Sequence, residues 1–172
     1  MNSYFRRQLT DYVEYHRDPW NCAMHVFGIV FLFLAAILPL SLLSFSLFGV
    51  EVNAAVIAVL PVLFYWFLLD LALGAGIFCG AVALLSAASW IVSHVTTTGM
   101  WSLTAVLIVV GVACQTIGHQ VFERRKPSMA DHPTHLLLGP MFVMAKLFIA
   151  LGFRRDLAII IQPPQDSLSY SQ

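Results

Sequence analysis

The sequence predicts an all-α polytopic membrane protein: about four transmembrane helices, an N-terminal amphipathic helix, and an interfacial or re-entrant helix near the C-terminus. Three observations predict it. Of 172 residues, 59% are hydrophobic and only 10% charged, and mean hydropathy is +0.82, a combination that soluble domains rarely show. Every Lys and Arg falls outside the stretch from Asp18 to Glu123, and between Trp20 and Phe122 the only acids are Glu51 and Asp70. Several apolar runs also approach the roughly 20 residues that a helix needs to cross a bilayer core of about 30 Å.

Tyr4 to Arg17 carries apolar residues at Phe5, Leu9, Tyr12 and Val13 with charges elsewhere on the wheel, which predicts an amphipathic helix with His16 on its apolar face. Asp18-Pro19 ends or bends it, because a residue before proline is steered out of the α region, and a new helix starts near Asn21. The predicted spans are Cys22 to Phe48, with a kink at Pro39, then Ala54 to Leu69, Leu71 to Ser93, and Trp101 to Val121. Asp70 and the glycines of "DLALGAG" split the second from the third. His135 to Phe153 carries Gly139-Pro140 and Lys146. It is expected to lie at the interface or re-enter, because Lys and Arg favour the cytoplasmic side and a crossing there would put Arg154 and Arg155 outside. Residues 1–161 form one integral-membrane domain on this reading, and 162–172, with Pro163, Pro164 and several Ser, a disordered tail.

Near-zero net charge and clustered cations argue against nucleic-acid binding. Cys22, Cys79 and Cys114 show no paired spacing and imply no disulfide framework. No removable signal peptide is indicated, so the first span serves as its own insertion signal. There is no Gly-rich phosphate loop, no Gly-x-Ser-x-Gly elbow and no His-Glu-x-x-His pattern.

With four spans, His16, His25, His119, His132 and His135 gather at the cytoplasmic face, and only His94 lies at the other end. Gln115, His119 and Glu123, each four residues apart, form a polar stripe on one helix face just before Arg124, Arg125 and Lys126. Ionisable groups within a bilayer are costly and are usually turned inward to partners. Neutral imidazoles with a carboxylate suit iron or zinc. The candidate metal residues are therefore His16, His25, His119, His135 and His132, with Glu123 a ligand or a residue that orients one. Asn21, one turn before His25, caps its helix or holds the imidazole. The lone His132/His135 spacing falls short of the His boxes of two-iron membrane oxygenases, so one metal ion is expected. A non-enzymatic protein binding metal for transport or sensing fits the same residues, and an electron-transfer haem protein is a further alternative.

"YHRDPWNCAMH" (Tyr15–His25), "QTIGHQVFERRKPSMAD" (Gln115–Asp131) and the following "LLLGPMFVMAKLF" resemble, in order and spacing, elements of the small membrane 2-hydroxy fatty acid dioxygenases, a family with yeast endoplasmic-reticulum and bacterial members. Ser128 stands where Ala is usual and Lys146 where an acid is usual. The resemblance implies an Fe(2+)-dependent oxidoreductase in which molecular oxygen attacks a 2-hydroxy fatty acid and the chain loses one carbon, the α-oxidation reaction of lipid metabolism. His16, His25 and His119 carry over as family histidines, with Glu123 beside them at the catalytic site. Arg17 or Arg124 would orient the substrate carboxylate, with Asn21 and Gln115 as further substrate-side residues. The expected location is a bacterial inner membrane, or the endoplasmic reticulum in a eukaryote, with the metal site on the cytoplasmic side.

Overall fold

A computed structural model describes residues 1–124 and 133–161. The first helix, α1 (Ser3–Val13), starts where the Asn2 side chain accepts from the Phe5 N–H, and it buries Phe5, Leu9, Tyr12 and Val13. That spacing is the one expected of a helix with a single apolar face. The helix stops at Val13, four residues short of Arg17. His16 therefore lies in the turn after α1 rather than on its face, with its N–H bonded to the Val13 carbonyl at 3.0 Å. The cause is local: Pro19 holds Asp18 extended at ψ 130°, so residues 14–18 must turn the chain into α2.

Helix α2 (Pro19–Leu40) starts with Pro at its first position, where its missing N–H costs nothing, and Asp18 Oδ1 accepts from the Trp20 and Asn21 N–H groups. Asp18, not Asn21, is thus the cap. The expected continuation of this span to Phe48 is corrected: α2 ends at Leu40, one residue after Pro39. Ser44–Leu47 (β1) and Val50–Asn53 (β2) then form an antiparallel hairpin pairing Ser44 with Asn53 and Leu47 with Val50. Its turn has positive φ at both Phe48 (53°) and Gly49 (81°), the left-handed pair that matches the twist of a two-residue hairpin loop. Both strands alternate apolar with polar residues, Phe45 and Leu47 with Ser44 and Ser46, and Val50 and Val52 with Glu51 and Asn53, the period of a strand rather than of a helix.

Asn53 caps α3 (Ala54–Leu69) through the Val56 N–H. At Asp70 the backbone turns extended, and its carboxylate caps α4 (Leu71–His94) by accepting from Ala72 and Leu73. Thr96 caps α5 (Thr97–Ile117), which runs into a π-helical turn, Gly118–Glu123. After a 3-10 turn at Pro133–Leu137 come α6 (Leu138–Ala150) and α7 (Arg155–Ile161), bent by 120° at their break, the shape of a broken span or a re-entrant loop.

Among the described residues, three helices are long and apolar enough to span a bilayer: Pro19–Leu40, Leu71–His94 and Thr97–Glu123. The 16 residues of α3 reach about 24 Å, less than a hydrocarbon layer of about 30 Å. Large apolar side chains such as Phe64, Trp90, Trp101 and Val109 face outward, as lipid contact requires. The chain is a helical, polytopic membrane protein.

One apolar core gathers α1, α3, α4, α6 and α7 around Phe5, Trp66, Leu73, Phe142 and Leu157; a smaller one, around Leu38, Ala88 and Met100, lies toward the hairpin. Helices α2 and α5 pack in close contact at Gly28, where a Cβ would lie 2.7 Å from Gln115 Nε2 and 3.0 Å from the Gly111 carbonyl. Small residues of this kind bring membrane helices into backbone contact. Here they let His25 of α2 meet His119 at the end of α5.

Candidate metal centre

His16, His25 and His119 are 2%, 7% and 2% exposed, and one ring nitrogen from each lies within 4.8 Å of the others. Three different backbone contexts deliver them. His16 rides the turn set by Pro19, His25 sits in the second turn of α2, and His119 is the second residue of the π turn that ends α5.

The protonation pattern follows from hydrogen bonds. His16 Nδ1 lies 2.9 Å from the Tyr12 carbonyl, so Nδ1 carries the proton and Nε2 presents a lone pair, the orienting arrangement common behind metal-bound imidazoles. The Tyr12 ring stacks on the His16 ring at 4.0 Å with 8° between planes. Burial, then the neighbouring His25, push the His16 imidazole down to about 2, which keeps it neutral and able to act as a ligand. His16 Nε2 faces His25 Nε2 at 3.1 Å. Two nitrogens that share one metal at about 2.1 Å stand roughly 3.0–3.4 Å apart, so this pair has the spacing of two ligands to one ion. The buried Nδ1 atoms of His25 and His119 have no hydrogen-bond partner among the described residues. An uncharged three-imidazole set of this kind suits a divalent first-row metal such as iron or zinc.

Glu123 is placed differently from the stripe expected on an α-helix. The π turn widens the last turn of α5, so His119 faces the cluster while the Glu123 carboxylate reaches the start of α2. There Oε1 accepts from the Arg17 N–H (3.1 Å), and Oε2 from the Asp18 N–H and Asn21 Nδ2 (both 3.0 Å). A carboxylate at a helix N-terminus gains from both the free N–H groups and the helix dipole. Asn21, fully buried, also donates to the Tyr15 carbonyl at 3.3 Å. It sits close under Gly118, where a Cβ would meet its Oδ1 at 2.5 Å. Glu123 and Asn21 therefore pin the His16 turn to the end of α5.

The remaining candidates spread around this centre. Gln115 donates weakly to the His25 carbonyl at 3.4 Å. His135 is 2% exposed and packs edge-on to Tyr12 and Tyr15, at ring distances of 5.5 and 6.3 Å. It lines a cavity of about 320 Å³ together with His25, His119, Gln115 and Thr116. Arg17 and Arg124 are exposed, Arg17 in the turn after α1, where its N–H meets Glu123, and Arg124 directly after Glu123. His132, with Arg125 and Lys126, lies outside the described residues, as does the tail from Gln162. His94 stands at the opposite end, exposed, its ring stacked on Trp90.

Two contributors escaped sequence reasoning. Tyr12 was legible only as an apolar position of α1, yet its carbonyl and ring fix His16; its spacing of four residues before His16 was the available signal. Cys22 donates its thiol to the His16 carbonyl at 3.4 Å, further fastening the turn.

Comparison with known proteins covers most of the chain. The family model described as Mpo1-like, 2-hydroxy-palmitic acid dioxygenase Mpo1-like, matches residues 2–151. The curated 2-hydroxy-palmitic acid dioxygenase MPO1 of Saccharomyces cerevisiae is 34% identical over 152 residues, 86% of this chain and 82% of its own length. No solved structure matches the chain. With the match running from before α1 through α6, and so across every histidine of the cluster, the chain belongs to the Mpo1-like family.

Proposed function

We propose that this chain is an iron(II)-dependent membrane dioxygenase that converts a 2-hydroxy fatty acid to the fatty acid one carbon shorter. The observation that carries the reading is the buried His16–His25–His119 group, three neutral ligands within 4.8 Å of one another beside a mostly apolar cavity, in a relative of a protein named for that substrate class. Bound ferrous iron supplies the activation of molecular oxygen. Loss of the carboxyl carbon as carbon dioxide, with one water, balances the uptake of one O₂ and needs no outside reductant.

The chain's own residues supply position and environment. His16, His25 and His119 hold the ion, with the Tyr12 carbonyl keeping the His16 proton on Nδ1. Glu123 and Asn21 fix the turn that carries His16. Ile29, Leu32, Phe33 and Gly139 wall the cavity and exclude water from it. Arg17 and Arg124, exposed nearby, favour arrival of a carboxylate from the aqueous side. By the placement of the basic residues that side is the cytoplasm, in a bacterial inner membrane or the endoplasmic reticulum.

The test is oxygen consumption by purified, iron-loaded protein. Uptake that requires a 2-hydroxy acid and yields the shortened acid is expected, with loss of both in His25→Ala and His119→Ala. Full activity in metal-free protein would sink the reading. Metal accumulation by sealed vesicles without oxygen use would favour a transport role instead.

A further inference from the structure

A second cavity, of about 290 Å³, lies between α2, α3, α4 and α6, and its lining, which includes Val30, Leu40, Val62, Ile77, Leu84 and Met144, is apolar throughout. It adjoins the histidine-side cavity, with Ile29 and Phe33 of α2 lining both. At this waist Ile29 packs over Gly139, where a Cβ would stand 2.7 Å from Ile29 Cδ1. Phe33 packs toward Trp66 at a ring distance of 6.1 Å, and the Trp66 indole is anchored to the Leu137 carbonyl at 2.7 Å. The two cavities also differ in chemistry. The histidine-side cavity has polar groups at one end, whereas the second offers only hydrocarbon.

We propose that this second cavity is the acyl-chain chamber: the substrate's carboxyl and 2-hydroxyl groups stay beside the histidines while its tail passes Ile29 and Phe33 into the space between α2, α3, α4 and α6. The proposal rests on the dioxygenase reading for the identity of the head group. The chamber's floor along α2 runs from Val26 to Leu40, about 21 Å at the rise of a helix. An extended hydrocarbon chain advances roughly 1.3 Å per carbon, from C–C bonds of about 1.5 Å in a zigzag. The chamber and its approach thus suit a long-chain acid, of order 16 carbons. Gly80 of α4 lines the chamber where it opens toward the bilayer, Gly80 and Val30 both being exposed. A Cβ built at Gly80 meets nothing within 4 Å, so a larger side chain there narrows the opening without displacing a neighbour. Glycine is also the poorer helix former at that position, so the substitution does not weaken α4.

Two measurements test this in full-length protein reconstituted in phospholipid nanodiscs. The first is kcat/KM across a series of 2-hydroxy acids from short to long chain. Gly80→Phe is expected to lower kcat/KM for the long acids by at least about ten-fold, with short acids within about two-fold of the unaltered protein. Equal loss or no change at all lengths overturns the chamber while leaving the dioxygenase reading intact. The second needs no turnover: a long-chain 2-hydroxy acid with a photoreactive tail terminus is crosslinked and the labelled peptides are identified. Labels on α2 and α4 near Leu40 and Leu84, suppressed by unlabelled 2-hydroxy acid and reduced in Gly80→Phe, support the chamber even if oxygen is never consumed, in which case the dioxygenase reading alone fails. Labelling confined to the outward faces, or not suppressed because bilayer lipid fills the space, overturns it.

Discussion

The two ends of the bundle use histidine in opposite ways. At one end His16, His25 and His119 are buried, their ring nitrogens converge, and two Nδ1 atoms have no partner among the described residues. At the other, His94 is exposed at the last turn of α4, bonds the Trp90 carbonyl of its own helix at 2.8 Å and stacks on the Trp90 ring. Both ends belong to equally apolar helices, so composition does not distinguish them. What distinguishes them is whether neighbouring elements bring further nitrogen donors to the same point. Two glycine contacts and a proline-directed turn do so at one end; at the other a local hairpin and a Thr cap close the helices, and no histidine group converges there among the described residues.

The largest effect expected from breaking this contrast comes from the ligands. His25→Ala or His119→Ala should lower iron retention, measured by elemental analysis after size-exclusion chromatography, by well over about 100-fold, since even outer-shell losses cost 10–100-fold. His94→Ala should leave both iron content and stability within about 0.5 kcal/mol of the unaltered protein. Comparable iron loss in His94→Ala would erase the distinction between the ends.

Glu123 sharpens it. Removing the carboxylate frees the Arg17 and Asp18 N–H groups and Asn21 Nδ2, and a lost charged hydrogen bond costs about 1.5–3 kcal/mol. Glu123→Ala should therefore lower thermal stability and weaken iron binding about 10-fold, yet leave three imidazoles in the iron spectrum. Loss of one ligand's signature in Glu123→Ala would mean that the residue touches the ion.

Tyr12 comes next. Tyr12→Phe keeps the backbone carbonyl and the ring stack and should change iron affinity little. Tyr12→Leu removes an aromatic contact worth about 0.5–1.5 kcal/mol and should loosen His16, seen as broader imidazole signals in labelled protein.

The smallest effect is acid sensitivity away from the centre. Asp70 is reached by Arg154 at 2.7 Å and by the Met1 ammonium at 3.3 Å. Burial alone would raise its carboxyl, but the hydrogen bond from Arg154, the Leu73 N–H and the ammonium outweigh burial and hold it below the usual value. A carboxyl held lower in the folded state adds stability that is full above its unfolded pKa of about 4 and is lost as pH falls through the folded value. Asp70→Asn should thus lower stability at neutral pH and flatten the decline below about pH 4, as read by thermal unfolding across pH.

Much of the fold was legible from residues alone. The ends of α3, the break at Asp70 and the buried face of α1 all followed from capping chemistry and apolar spacing. The end of α2 did not: Ser44-Phe45-Ser46-Leu47 and Val50-Glu51-Val52-Asn53 alternate with the period of strands on either side of Phe48-Gly49, but that short signal lay inside an apolar stretch long enough to be read as one span. That His16, His25 and His119 approach one another was readable from span order. That Glu123 turns from His119 to the start of α2 was not, because a π turn has no local sequence signature and shifts a residue four positions on from the helix face it would otherwise share.

The central claim is one iron held by three imidazoles at one end of the bundle, and X-ray absorption at the iron edge of the purified, iron-loaded protein tests it most directly. One iron per chain with three histidine nitrogens in its coordination shell, reduced in His16→Ala, His25→Ala and His119→Ala alike, is the predicted result. An iron shell unchanged by those three substitutions, or full oxygen consumption without the metal, would contradict it.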